Sequence, residues 1–127
     1  MVKIAHLGDC HLGSWRQQEL QDLNFLSFQK AIEICISEGI EAVLIAGDLF
    51  DSAYPPIEIL KQTFAEFRKL KEAGIKCFMI AGSHDFSVSG KTFLDVLERG
   101  GFCEICKYEE TPSKIKLLPL KYNHLEI

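Results

Sequence analysis

Residues 42–51 read "AVLIAGDLFD", and the fold turns on them. An unbroken run of small and branched apolar residues, cut off by a glycine, is too short for an ordinary helix. It is the pattern of a strand covered on both faces of a parallel sheet. Gly47 relaxes the backbone as the strand leaves the sheet, and two carboxylates, Asp48 and Asp51, follow. A strand closed by glycine and polar residues recurs on either side in the chain, alternating in the first case and again continuously apolar in the third. "VKIAHLG" (2–8) runs into "DCHLG", and "CFMIAG" (77–82) runs into "SHDF".

Helical periodicity fills the gaps between these strands. From about Leu20 to Ser37 the apolar residues Leu23, Phe28, Ala31, Ile32 and Cys35 recur at helical intervals, and Gly39 in "SEGI" stops the helix. A second helix starts after "YPP", where Pro56 suits a first turn. It carries Ile57, Leu60, Phe64, Phe67 and Leu70 on one face and ends at Gly74. A shorter helix over about 92–97 stops at Gly100-Gly101. These stripes are core-facing surfaces. The order strand, helix, strand, helix, strand predicts an α/β fold, a βαβαβ unit with right-handed crossovers. No repeat or low-complexity tract is present. Beyond Lys107 the pattern weakens to one expected strand at 114–120.

The chain has 127 residues, 47% hydrophobic and 25% charged, an ordinary composition for one globular domain. No apolar run reaches the roughly 20 residues that span a bilayer, and no basic stretch and cleavage site open the chain, so the expected location is cytoplasmic. Five cysteines are scattered as Cys10, Cys35, Cys77, Cys103 and Cys106. The lone CxxC of Cys103 and Cys106 lacks the second pair that a zinc site wants, and free buried thiols are the simpler reading. A net charge of −4 argues against nucleic-acid binding by bulk positive charge. It leaves open an acidic metal site that receives phosphates, because bound cations reverse the local sign.

In an open parallel sheet, ligands bind beyond the carboxyl ends of the strands. Here each of those ends offers metal-ligating or acid groups: Asp9 and His11, then Asp48 and Asp51, then Ser83, His84 and Asp85. Asp9 and His11 are two apart, so both side chains reach the same side while Cys10 turns toward the core. A carboxylate with an imidazole suits Mn, Fe or Zn better than Mg or Ca. Asp48 is able to bridge two ions, His84 then faces the phosphate, and Asp85 is expected to fix the His84 tautomer by hydrogen bonding. Each residue alone has a blander reading. An aspartate after a strand more often caps a turn than binds a metal, and Asp51 fits that role before "YPP". His6, within a strand, reads as structural, and His124 is isolated. Three consecutive glycine-led strand ends, each with ligand chemistry, outweigh these separate readings.

"DCHLG", "GDLFD" and "GSHD" resemble the D-x-H, G-D-x-x-D and G-N-H-D motifs of the calcineurin-like metallophosphoesterases. The His-Leu-Gly after Asp9, and Gly-Asp-Leu-Phe-Asp followed shortly by proline, are similar to the SbcD/Mre-eleven nucleases of DNA double-strand break repair. The likeness runs from Met1 to about Asp95. It implies the first half of a metallophosphoesterase α/β sandwich, acting as a manganese-dependent exo- and endonuclease by a two-metal mechanism. Asp9 and His11 would bind the first ion, Asp48 would bridge both, and His84 would contact the scissile phosphate and assist the leaving group. The implied partners are DNA ends, an SbcC/Rad-fifty-type coiled-coil ATPase and a second copy of the chain, with no membrane and with action on the nucleoid.

Two departures stand out. The family's asparagine, a ligand of the second metal, is replaced by Ser83, whose hydroxyl is a poorer neutral donor. The later family histidines, including a G-x-H pattern, do not follow Asp85. The expectation is therefore an N-terminal portion of a nuclease domain, poorly active alone, either a piece of a longer protein or a naturally short form. The rivals are a small-molecule phosphatase or phosphodiesterase of the same superfamily and a non-catalytic dimerisation or partner-binding half. A receiver-like signalling domain fits badly, because Asp-Cys-His does not provide the adjacent acids that hold Mg.

Overall fold

A computed structural model describes residues 1–127. Four parallel strands, β1 (Ile4–Leu7), β2 (Ala42–Ala46), β3 (Lys76–Ile80) and β4 (Glu104–Ile105), form a sheet in the order β1-β2-β3-β4. Helices α1 (Gln18–Ser37), α2 (Ile57–Glu72) and α3 (Phe93–Arg99) connect them. The chain then forms two small antiparallel hairpins, β5 (Lys107–Thr111) with β6 (Lys114–Leu118) and β7 (Lys121–Tyr122) with β8 (Leu125–Glu126). The strand expected at 114–120 is β6, paired with a β5 that is exposed throughout. The very short β4, which completes the parallel sheet, was not foreseen.

Both long helices end in the same way. Gly39 (φ 63°) and Gly74 (φ 74°) adopt the left-handed conformation that favours glycine. The next residue then bonds back across the turn, Ile40 to Cys35 and Ile75 to Leu70. The short α3 starts on a reciprocal capping box between Thr92 and Asp95.

The strand register places Ala5, Val43 and Cys77 in one row, and Leu7, Ile45, Met79 and Ile105 in the next row of the same face. These residues meet Phe25, Phe28, Ile32, Phe67, Leu94 and Leu97 of the three helices in one core. A sequential strand order with right-handed crossovers puts every helix on that face.

The opposite face departs from expectation. The continuous apolar runs of β2 and β3 predicted cover on both sides, yet Ile80 is 47% exposed and Ala46 is open to solvent, as is Ile4 of β1. On this face Ala42 and Phe78 are buried, Phe78 against the Tyr122 ring of β7 at 5.8 Å. The helix faces are also rotated from the sequence reading. Leu23 and Ile57 point outward, and Phe25 and Ile59 take the buried positions. Pro56 stands at the cap position of α2, one residue ahead of its first turn.

Candidate metal centre

The loops after β1 and β2 are extensions of the sheet. The N–H groups of Asp9, His11 and Leu12 donate to the carbonyls of Gly47, Asp48 and Leu49 at 3.3, 2.9 and 2.9 Å, and Asp51 N–H donates back to Leu12 at 3.1 Å. Leu12 and Phe50 form a further parallel bridge. Leu12, Leu49 and Phe50 are buried, so apolar anchors are interspersed with polar groups in both loops. The anchors fix the backbone and the polar groups are thereby aimed outward.

The aiming carries strain. Asp9, His11 and Asp48 have positive φ, 50°, 45° and 50°. Left-handed backbone is uncommon outside glycine and concentrates where function demands a geometry. Three of the five non-glycine residues of this kind in the chain are sequence-predicted ligands.

His11 is held on one side and free on the other. Its Nδ1 lies 3.0 Å from Asp51 Oδ1. Its Nε2 faces Asp9 Oδ1 at 3.9 Å and Asp48 Oδ2 at 3.8 Å, hydrogen-bonding neither. An Nδ1–H donated to Asp51 leaves the Nε2 lone pair available, as second-sphere carboxylates do for metal-bound histidines. Donor atoms of Asp9, His11 and Asp48 lie within 4.8 Å of one another, as do those of His11, Asp51 and His84. Two carboxylates and an imidazole converging without bonding one another fit a divalent cation, manganese among them.

Asp48 joins the second loop to the third. Its side chain is 14% exposed. It accepts from the His84 backbone N–H at 2.9 Å and faces the His84 Nδ1 at 3.2 Å. The His84 N–H, above all, holds its carboxyl below the ordinary range, against the opposing effect of burial; the imidazoles of His84 and His11 add to the lowering. Gly82 leaves the room this requires, since a Cβ there would overlap the Asp48 carboxylate and backbone. Ser83 Oγ lies 3.3 Å from the same Nδ1 of His84. The His84 and His11 rings meet edge to face at 4.8 Å, and His84 remains half exposed at the mouth of the site.

Asp85 corrects an expectation. It does not touch the His84 imidazole. It is 2% exposed and accepts from Phe50 N–H through Oδ1 (3.1 Å) and from Gly82 N–H through Oδ2 (2.8 Å). Neighbours in a tight turn point apart, so the carboxylate staples the second loop to the third while His84 faces solvent. Cys10 packs against the core edge. Burial first, and the Asp9 charge next, push its thiol up to about 11, so it offers no thiolate. Cys103 is likewise buried, and its thiol is pushed up to about 12, chiefly by burial. His6 is exposed on the open face of the sheet, and His124 lies away from the cluster, 3.8 Å from Glu41.

Sequence reasoning assigned no role to Asn24 and Trp15, and read Gly82 only as a flexible strand end. Asn24 of α1 donates to the Cys10 carbonyl at 3.0 Å and, with Trp15, lines a cavity of about 420 Å³ beside Asp9, His11 and Asp51. Gly82 provides space rather than only flexibility. The position of Asn24, one residue before the buried Phe25, was the available signal.

Residues 2–121 match the family described as calcineurin-like phosphoesterase. Among curated proteins the chain is similar to three named "DNA double-strand break repair protein Mre11". That of Aeropyrum pernix is 39% identical over 101 residues, covering 77% of this chain and 25% of the relative. That of Sulfurisphaera tokodaii is 33% identical over 125 residues, covering 90% and 30%. That of Haloferax volcanii is 34% identical over 107 residues, covering 80% and 23%. The chain thus spans between a quarter and a third of the length of the first two relatives and slightly less of the third.

Proposed function

The chain belongs to the calcineurin-like phosphoesterase family, and from that premise we propose that it carries the metal-binding strand ends of a DNA nuclease acting in double-strand break repair. The carrying observation is the His11 imidazole, bonded to Asp51 through Nδ1 and presenting an unbonded Nε2 to Asp9 and Asp48. The names of the similar proteins supply the substrate class.

In this reading Asp9, His11 and Asp48 hold the first cation, and Asp48 reaches toward a second. Ser83 would offer a second ion a hydroxyl in place of the family's amide. When bound, two manganese ions would supply Lewis-acid polarisation of a phosphodiester and a nucleophile for in-line attack. Asp51 orients His11. His84, exposed and beside Asp48, is placed to contact the phosphate and give a proton to the departing oxygen. Asp85 keeps the loops in register. With a chain charge of −4, attraction for DNA depends on the cations themselves.

Two copies of the chain, or an SbcC/Rad50-type ATPase, are the proposed partners. Leu23 and Leu26 of α1, 56% and 58% exposed, support a contact there. Such a role places the protein on the nucleoid.

Calorimetric titration with Mn²⁺, comparing the chain with its Asp48→Ala variant, tests the centre. Binding that the substitution abolishes is the expected result; equal binding by both would remove Asp48 from the site. Assay of single-stranded DNA ends beside a chromogenic phosphodiester then separates a nuclease from a small-molecule phosphodiesterase. Turnover of the small ester alone would favour the latter.

A further inference from the structure

Trp15 is the only tryptophan of the chain, and it lies in the loop that follows His11. It is 59% exposed, so it is not a core residue. Its φ is 75°, a left-handed conformation that a bulky side chain adopts only when its surroundings impose it. The constraint is visible. Ser14 N–H closes a turn onto the His11 carbonyl at 3.0 Å, and the Gln21 amide reaches the Gly13 and Trp15 carbonyls at 3.3 and 3.4 Å. The loop that carries His11 therefore also fixes Trp15.

The indole does not face empty surroundings. The cavity of about 420 Å³ is lined by Asp9, His11 and Asp51 together with Ser14, Trp15 and Asn24. That volume is within the range of small-ligand sites. A nucleoside attached to a phosphate at the carboxylate and histidine cluster would share this cavity with Trp15. Isolated exposed aromatics are common and need no function. An exposed aromatic held in left-handed backbone, in the same cavity as the predicted metal ligands, is a different case.

We propose that Trp15 is a substrate-binding residue that stacks on an unpaired nucleobase adjoining the scissile phosphate, so that the site prefers single-stranded nucleotides to base-free phosphodiesters. This rests on the nuclease reading above and adds to it the element that recognises the base. Stacking on an aromatic platform tolerates every base, because each has a π-face. It therefore provides selection for unpaired strands without sequence preference. In a chain of net charge −4, it also lets part of the affinity come from the base and not the backbone.

The single tryptophan makes the test direct. Its emission is followed while the 127-residue chain, in Mn²⁺, is titrated with a labelled oligothymidylate and with an abasic oligonucleotide of equal length; label anisotropy reports binding independently. The expected result is quenching by oligothymidylate and none by the abasic strand. Trp15→Ala should weaken oligothymidylate binding roughly tenfold or more, the loss of one stacking platform, with abasic binding unchanged. Trp15→Phe should restore most of it. If both strands bind wild type alike, without quenching, base stacking is overturned and the phosphodiester-binding reading stands. If neither strand binds, both fall together.

Discussion

Asp85 is the residue whose removal the structure makes most costly to the loops. Both its oxygens accept backbone N–H groups in a buried setting. An asparagine keeps one acceptor and turns an N–H₂ toward the other donor. Asp85→Asn should therefore cost about 1–3 kcal/mol, the penalty for a buried donor left unsatisfied, read as a lower urea midpoint with an unchanged slope. Asp48 gives a prediction with a sign. Because its folded-state acidity is raised, it contributes stability that is complete above its ordinary value of 3.8 and is lost as pH falls through the lower folded value. Metal-free wild type should lose stability on that acid limb more steeply than Asp48→Asn, which keeps the acceptor oxygen without the charge. Parallel acid limbs in denaturant titrations would remove the role given to the His84 N–H.

At the scale of elements, the close approach of two strand ends sets the site. Gly82→Ala should displace the Asp48 carboxylate and weaken Mn²⁺ binding by roughly ten- to a hundredfold, as displaced supporting groups do, with the helical circular dichroism unchanged. Retained affinity would show that the loop yields. The same strand ends explain what was legible in the sequence. β1, β2 and β3 were readable because apolar runs closed by glycine have few alternatives, and the ligand types at their ends followed directly. Leu23 and Ile57 misled because single apolar residues on a helix surface are tolerated, which rotates the apparent stripe. β4 is two residues long, too short for any periodicity. The direction of Asp85 was illegible for another reason. Its partners, Phe50 N–H and Gly82 N–H, are backbone groups that carry no mark in the sequence, whereas the adjacent His84 offered an obvious but incorrect one.

For the whole molecule, the arrangement is a helix-backed sheet whose candidate ligands gather at the carboxyl ends of β1, β2 and β3 and whose other face is partly open. That asymmetry divides the chain by how firmly its backbone is tied. The loops after β1 and β2 carry ladder bonds over buried Leu12, Leu49 and Phe50, whereas β5 and β6 pair only with each other and lie exposed. Amide hydrogen exchange should record the difference. The N–H groups of His11, Leu12, Phe50 and Asp51, in segments that look like loops, should exchange on the slow timescale of the β1–β2 pair. Those of 107–118, formally strands, should exchange early. Early exchange at His11 and Leu12 would mean that the ligand loops open independently of the sheet. Slow exchange there means that ions arrive at a binding geometry already formed, so uptake is limited by dehydration of the ion and not by folding of the site.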